Sequence, residues 1–318
     1  MKKIAVFSLG PWCVGMCLFA LSFSSCTSPV PQPSKDQGTG TTSTSQVLRD
    51  VEILAADSMG GRLPNTPGHA KAQKYLVQRF KEVGIQPFGQ SFEQLFQFTS
   101  RATKEQVQGV NLIGKIAGKS DKAIVITAHY DHVGTRNGKI YNGADDDASG
   151  VGALLAIATY YKTHQPQHTL IFAAFDAEEQ GLAGSKAFVE KLPVAKENVL
   201  LNVNMDMLSI SSANELYASG GFHYPWLKEM LDQVQVPAGL TLLQGHDRPE
   251  QGPNDWTLQS DHGSFHRQQI PFVYFGVEDH PHYHQETDEF KNIHQPFYLK
   301  AVETVLRAVQ LFDQKLPL

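Results

Sequence analysis

Cysteine is almost missing from this chain of 318 residues: there are three, Cys13, Cys17 and Cys26, all near the N-terminus. From Thr27 onward there are neither disulfides, nor thiolate ligands, nor a cysteine nucleophile. Positive charge is also short. Lys and Arg number 27 against 32 Asp and Glu, a balance that argues against a nucleic-acid partner. No Gly-x-Ser-x-Gly elbow and no His-Glu-x-x-His helix occurs. Gly150-Val151-Gly152 imitates a dinucleotide fingerprint but lacks the third glycine and an immediately preceding strand. Internal repeats are absent. What is present is ordinary globular material, 41% hydrophobic and 19% charged, enough for one large domain or two small ones.

The first 25 residues read as a secretory signal: Lys2-Lys3, an apolar run from Ile4 to Phe23, then Ser24-Ser25-Cys26. Ser24-Ser25-Cys26 resembles the bacterial lipoprotein processing site, although Phe23 stands where Leu is usual. The expectation is an exported protein, anchored to the outer membrane through lipidated Cys26, or otherwise periplasmic or secreted. Removing residues 1–25 takes away two lysines and no acid, so the mature net charge falls from −5 to −7. Residues 26–45 are rich in Ser, Thr and Pro and read as a flexible tether. Residues 46–318 read as one catalytic domain.

Apolar spacing predicts helices over Gln46 to Asp57 and Pro67 to Val83, with a turn-rich structural loop, Gly60 to Gly68, between them. Strands follow at Phe92 to Phe98 and Val107 to Ile116. Buried strands are expected at Ala123 to Ala128, Thr169 to Phe175, Val199 to Met205 and Pro271 to Phe275. Helices are expected over Gly150 to Tyr161, Gly184 to Leu192, Pro225 to Val234 and Phe297 to Lys315. The alternation implies an α/β fold: a mostly parallel, mixed central sheet with helices on both faces.

The stretch Gly143-Ala144-Asp145-Asp146-Asp147-Ala148-Ser149-Gly150 is hard to read as surface. Three adjacent carboxylates raise one another's pKa unless a cation or hydrogen-bond donors hold them. A metal ion answers this; an Asp-rich turn capping the next helix answers it as well. The buried strands carry the decision further. They are followed by His129-Tyr130-Asp131-His132, Asp176-Ala177-Glu178-Glu179, Asp206 and His280-Pro281-His282-Tyr283-His284. In an open parallel sheet the crevice outside the carboxyl ends of the strands is the ligand site. Imidazole and carboxylate without thiolate suit Zn²⁺, with Co²⁺ or Mn²⁺ as substitutes. His129, Asp146, Glu179, Asp206 and His284 are more ligands than one catalytic zinc needs, and two ions sharing a carboxylate would use them all. Asp131 lies on the same side of the extended chain as His129 and can orient its ring. His262 and His266 read as packing residues on a helix, and His69, His164, His168, His223 and His294 as surface. His132, His280 and His282 flank the pocket as possible substrate contacts.

His129-Tyr130-Asp131, the Asp octet, Ala177-Glu178-Glu179-Gln180-Gly181, Asn204-Met205-Asp206 and Tyr283-His284-Gln285-Glu286-Thr287-Asp288 resemble, in order, the five motifs of the co-catalytic dizinc aminopeptidases. That family includes bacterial leucyl aminopeptidases and the glutamate carboxypeptidase branch. The resemblance implies Asp146 as the bridging ligand, His129 and Asp206 on one ion, Glu179 and His284 on the other, and Glu178 as general base. It also implies a non-proline cis peptide in the Asp triplet and peptide substrates with a free N-terminus. Tyr283 is the candidate oxyanion donor, as in the carboxypeptidase branch. The leucyl aminopeptidase pattern places a Tyr before Ser-Asp-His; here Thr257-Leu258-Gln259 precedes Ser260-Asp261-His262. Two other readings use the same fold: a glutaminyl cyclase-like acyltransferase and an inactive peptide-binding lipoprotein. The side chains of Phe222, Tyr224, Trp226 and Trp256 are expected to shape the specificity pocket.

Overall fold

A computed structural model describes residues 10–11, 44–101 and 103–318. The signal, lipidation and most of the tether expectations lie outside the described residues. No helix among those described is long and apolar enough to cross a membrane.

Helices α1 (Thr44–Leu54) and α2 (Pro67–Glu82) come first, joined through a tight turn at Asp57–Arg62. Thr66 caps α2, its hydroxyl accepting from the His69 amide at 3.3 Å, and Pro67 opens the helix where its missing N–H costs nothing. Strands β1 (Glu93–Thr99), β2 (Gln106–Ile116) and β3 (Ser120–His129) follow, then the two-residue pair β4 (Thr135–Arg136) and β5 (Lys139–Ile140). After helix α3 (Gly150–Tyr161) come β6 (His168–Phe175), α4 (Ala183–Glu190) and β7 (Val199–Met205). The chain continues through β8 (Glu215–Ser219), α5 (Pro225–Leu231), β9 (Thr241–Gln244), α6 (His262–Arg267), β10 (Phe272–Gly276) and α7 (Gln295–Lys315).

Eight strands form one sheet in the order β1-β2-β6-β3-β7-β10-β8-β9. Its centre, β6-β3-β7-β10, is parallel, and antiparallel pairs join it to β2 and β8. Both central faces are dry, so β3 and β6 read as continuous apolar runs, yet their residues still alternate between two cores. Ile124, Ile126 and Ala128 with Leu170, Phe172 and Ala174 face α1, α3 and α7. Ala123 and Val125 with Ile171, Ala173 and Phe175 face Phe188 of α4 and Phe265 of α6.

Helix α3 is buried along almost its whole length and sits between the sheet and α1 and α7. Gly152 makes that close approach possible: a β-carbon there would meet the Tyr298 hydroxyl at 2.4 Å. That hydroxyl donates to the Ser149 carbonyl at 2.7 Å, tying α7 to the end of the Asp octet.

Two histidines expected on the surface are core residues. His69 stacks on Tyr130 and bonds the Asp176 carboxylate at 2.8 Å; His168 is enclosed by Asp313 and the Pro317 carbonyl. In both cases a buried polar ring has found a carboxylate or carbonyl from a distant segment, which spacing in the sequence does not reveal. His164 and His294 are exposed as expected, and His223 is half-buried against Thr257.

Candidate metal centre

The carboxyl ends of the four central strands converge on one crevice. His129 is the last residue of β3, Asp206 follows β7, Glu178 and Glu179 follow β6, and His284 lies in the loop after β10. Asp146 comes from the octet between β5 and α3. Left-handed backbone at Ala177, Met207 and His284 turns the chain sharply at three of these ends, and strained positions of this kind gather at functional sites.

Two groups of ligand atoms result. His129 Nε2 lies 3.2 Å from Asp146 Oδ1 and 3.5 Å from Asp206 Oδ1. On the other side, Asp146 Oδ2 lies 3.1 Å from His284 Nε2 and 3.7 Å from His132 Nδ1. Glu179 Oε1 completes that second group, 2.9 Å from His132 Nδ1 and 3.3 Å from His284 Nε2. Asp146 therefore offers one oxygen to each group.

The donor set fits a borderline metal such as zinc, being nitrogen and carboxylate oxygen without sulfur. His132 adds an independent sign. Its ring is fully buried, yet neither nitrogen has a hydrogen-bond partner, and the near Glu179 oxygen is likewise unbonded. Atoms this close but out of hydrogen-bonding direction aim their lone pairs at a common point, as ligands of one ion do. A structural role for these groups would have left donors facing acceptors.

The charges point the same way. Burial raises the Asp146 carboxyl, but His132, His129 and His284 outweigh it and hold the group well below the usual range. Glu179 is brought to about 2: His132 and His284 overcome burial and the repulsion of Asp146. His284 reaches about 10 because Asp146 and Glu179 outweigh its burial. The His129 and His284 rings balance the carboxylates by holding protons, and a divalent ion bound to the same lone pairs would release them.

Behind the ligands stands a layer of struts. The Asp131 carboxylate accepts from the amides of Glu178 and Glu179 at 3.0 and 3.3 Å and lies 3.4 Å from His129 Nδ1, so it sets two ligand segments at once. Asp147 accepts from the amides of His129, Gly150 and Met207. Asp145 accepts from the amide and hydroxyl of Ser209 and bonds His280 Nε2 at 2.8 Å. Asp146 faces both groups of ligand atoms, while Asp147 accepts from the first amide of α3. The peptide bond between Asp146 and Asp147 is cis, as the resemblance implies. Gly143, at φ 61°, leaves no room for a β-carbon, which would fall 2.2 Å from the Asp146 carbonyl.

Several participants are missed by reading the sequence. His132 joins the second group instead of acting as a substrate contact; its spacing of three from His129 in a loop gives no regular pattern. His280 is engaged with Asp145, and His282 with the Thr287 hydroxyl, so neither faces outward as a free contact. Asp288 accepts from the amides of Asp145 and Asp146. Arg62, fully buried, reaches the carbonyls of Leu54, Tyr130, Asn142 and Gly143 at 2.6–2.8 Å. It is the cation near the Asp triplet that local sequence does not show.

Glu178 lies beside the two groups and pairs with neither imidazole set. Burial pushes its carboxyl well above the usual range, with Asp206, Asp261 and Glu179 adding to the effect against His129. It lines a small cavity of about 80 Å³ together with Met207, Trp256, Tyr274, Asp279 and Tyr283. Tyr283 stacks on His284 at 4.0 Å between ring centroids. Of the aromatic side chains expected to shape this pocket, Trp256 lines it and Phe222, Tyr224 and Trp226 do not. Tyr224 bonds His266, and His262 stacks on Tyr274, so the two α6 histidines pack as expected.

The sequence profile of peptidase family M28 matches residues 111–309, more than half of the chain. The chain belongs to peptidase family M28. It is 27% identical over 199 residues to the alkaline phosphatase isozyme conversion protein of Escherichia coli (strain K12), covering 58% of this chain and 56% of that one. It is 30% identical over 215 residues to aminopeptidase YwaD of Bacillus subtilis (strain 168), covering 63% and 44%. The chain thus matches only about half the length of these curated relatives. Among solved structures, a zinc aminopeptidase from Bacillus subtilis superposes with a TM-score of 0.68 at 16% identity, over 84% of this chain and 94% of that one. A glutaminyl cyclase from Bacteroides thetaiotaomicron gives 0.69 at 20%, over 85% and 98%. At such identity the likeness establishes the fold and does not choose between the two chemistries. Family membership and the ligand groups together support a metal-dependent peptidase.

Proposed function

We propose that this M28 chain is a zinc-dependent aminopeptidase that holds two ions on a shared Asp146. His129 and Asp206 would complete one site, and Glu179 and His284 the other, with His132 placed beside the second pair. The observation that carries this reading is the division of Asp146, one oxygen to each group, with Glu178 beside both and committed to neither. Zinc held there would supply Lewis acidity for the scissile carbonyl and acidify a water to a pKa of about 7.

The remaining roles fall to the chain. The Glu178 carboxylate takes a proton from the attacking water and passes it to the leaving amine. Tyr283, whose hydroxyl is pushed well above its ordinary pKa by burial and then by Asp146, Asp206 and Glu179, stays protonated at neutral pH and donates to the developing oxyanion. The cavity bounded by Met207, Val277 and Trp256 takes the first side chain, and Asp279 offers a carboxylate for the free α-ammonium group. Its small size favours removal of one terminal residue at a time. Export and a lipid anchor on Cys26 belong to the same proposal; incorporation of labelled palmitate tests the anchor.

A single assay tests the enzymatic reading. Purified protein supplied with Zn²⁺ should release amino acid from Leu-p-nitroanilide and from dipeptides. Cyclisation of an N-terminal Gln peptide without any release of amino acid would replace this reading with the acyltransferase one, and inactivity on all three would favour an inert peptide-binding protein.

A further inference from the structure

A second, wider cavity of about 350 Å³ opens on the other side of Glu178, Glu179 and His284. Its rim carries Arg101, Lys186 and Arg267, and Leu182 and Leu258 lie along it. None of the three cations forms an ion pair with a carboxylate among the described residues. Two are positioned by backbone instead: Arg101 Nη1 donates to the Glu179 carbonyl at 3.2 Å, and Lys186 Nζ to the Gly181 carbonyl at 2.8 Å. Leu258, 43% exposed, supplies an apolar surface beside them. Arg101, Lys186 and Arg267 share this groove with Glu178 and Glu179 yet form no ion pair with them, which leaves their charge open to a ligand in the groove.

We propose that this groove receives the leaving part of a short peptide and that Arg101, Lys186 and Arg267 recognise its C-terminal carboxylate. This rests on the aminopeptidase reading above. Glu178 lines both cavities, so if the first residue occupies the small one, the amine that Glu178 protonates departs into the wide one. The Arg101 guanidinium is anchored on the backbone of Glu179, itself a ligand residue. An extended chain advances about 3.5 Å per residue, so a carboxylate one or two residues beyond the cut would lie in the groove whose rim carries these cations. The preferred substrates are therefore dipeptides and tripeptides with a free C-terminus.

The test compares kcat/KM for Leu-Gly-Gly, its C-terminal amide, and the amide of Leu-Glu-Gly, in the wild type and in R101Q, K186Q and R267Q. The wild type should prefer the free acid over the amide at least tenfold, and each variant should bring that ratio towards one. Because the ratio is taken within each protein, it does not depend on the folded fraction. Calorimetric binding of Gly-Gly and glycinamide-capped Gly-Gly gives a second readout without turnover: the free acid should bind more tightly, and the difference should shrink in 0.5 M NaCl. Equal use of acid and amide by an enzyme that cleaves Leu-p-nitroanilide would overturn this inference alone. Preference for the Leu-Glu-Gly amide over the free acid would overturn it in favour of an acidic side chain. Failure to cleave any of these substrates would overturn it together with the aminopeptidase reading.

Discussion

Acid should destabilise this fold through His262, and the size of the effect follows from its surroundings. The ring is fully buried, lies 4.6 Å from Tyr274 and 4.7 Å from Phe272 between centroids, and its Nε2 donates to the Trp256 carbonyl at 2.8 Å. Nδ1 has no partner, so a second proton would place a charge with no acceptor in an aromatic slot. Burial lowers the pKa from 6.5 to about 3. A depressed histidine pKa means that the unfolded chain binds more protons than the folded one between pH 6.5 and 3. Stability is therefore intact above that window and lost as pH falls through it. At pH 5 the gap below 6.5 corresponds to about 2 kcal/mol at 1.36 kcal/mol per unit. H262F keeps a ring in the slot and cannot titrate; it should lose about 1 kcal/mol at pH 7 with the Trp256 hydrogen bond. Urea unfolding of both proteins at pH 7, 6 and 5 should show the wild type's advantage disappearing and then reversing. A difference between the two proteins that stays constant from pH 7 to 5 would refute the argument. The consequence reaches the active site, since Trp256 and Tyr274 both line the small cavity.

Three further outcomes are expected. D146A should lose both metal equivalents together, because one side chain serves both groups; metal analysis showing two equivalents still bound would contradict the sharing. E178A should retain its metal and fall in turnover by about 10²- to 10⁴-fold, the ordinary worth of a positioned general base; unchanged kcat removes Glu178 from that role. R62K keeps the charge but cannot reach four carbonyls, and with each stranded buried acceptor costing about 1–3 kcal/mol it should destabilise by more than about 3 kcal/mol in urea. A loss below about 1 kcal/mol would mean that water replaces the guanidinium.

The parts of this architecture that were legible in the sequence are those where one physical rule acts locally. The buried strands β3, β6 and β7 announce themselves because burial on both faces demands unbroken apolar runs, and α3 and β7 begin and end where that pattern does. Strands β8 and β9 give no clear pattern in the sequence: both are short and carry polar residues such as Glu215 and Gln244, and β9 is the partly exposed edge of the sheet. His129, Glu179, Asp206 and His284 are readable because they follow the ends of buried strands, and Asp146 because three adjacent carboxylates are hard to place on a surface; the structure brings the five together. His132 and Arg62 were not, since an irregular loop aims the first and a segment some 80 residues away supplies the second. His69 and His168 were misplaced for the same reason: their carboxylate partners, Asp176 and Asp313, are more than 100 residues distant.

The Asp triplet shows how the site reconciles three adjacent charges. Three adjacent carboxylates with neither a cation nor hydrogen-bond donors to hold them would repel one another. The backbone instead sends each carboxylate in a different direction, to partners of different kinds. Asp145 meets the Ser209 amide and hydroxyl and His280, Asp147 meets three backbone amides, and Asp146 meets the imidazoles of His129 and His284. The outer two thereby fix β3, α3 and the chain after β7 relative to one another, which are the segments that carry His129 and Asp206. Asp131 does the same for His129 and the Glu178-Glu179 turn. The position of Asp146 is thus set by carboxylates that lie outside both groups, and replacing Asp147 by Asn should loosen the position of His129 and Asp206 even though neither side chain is altered.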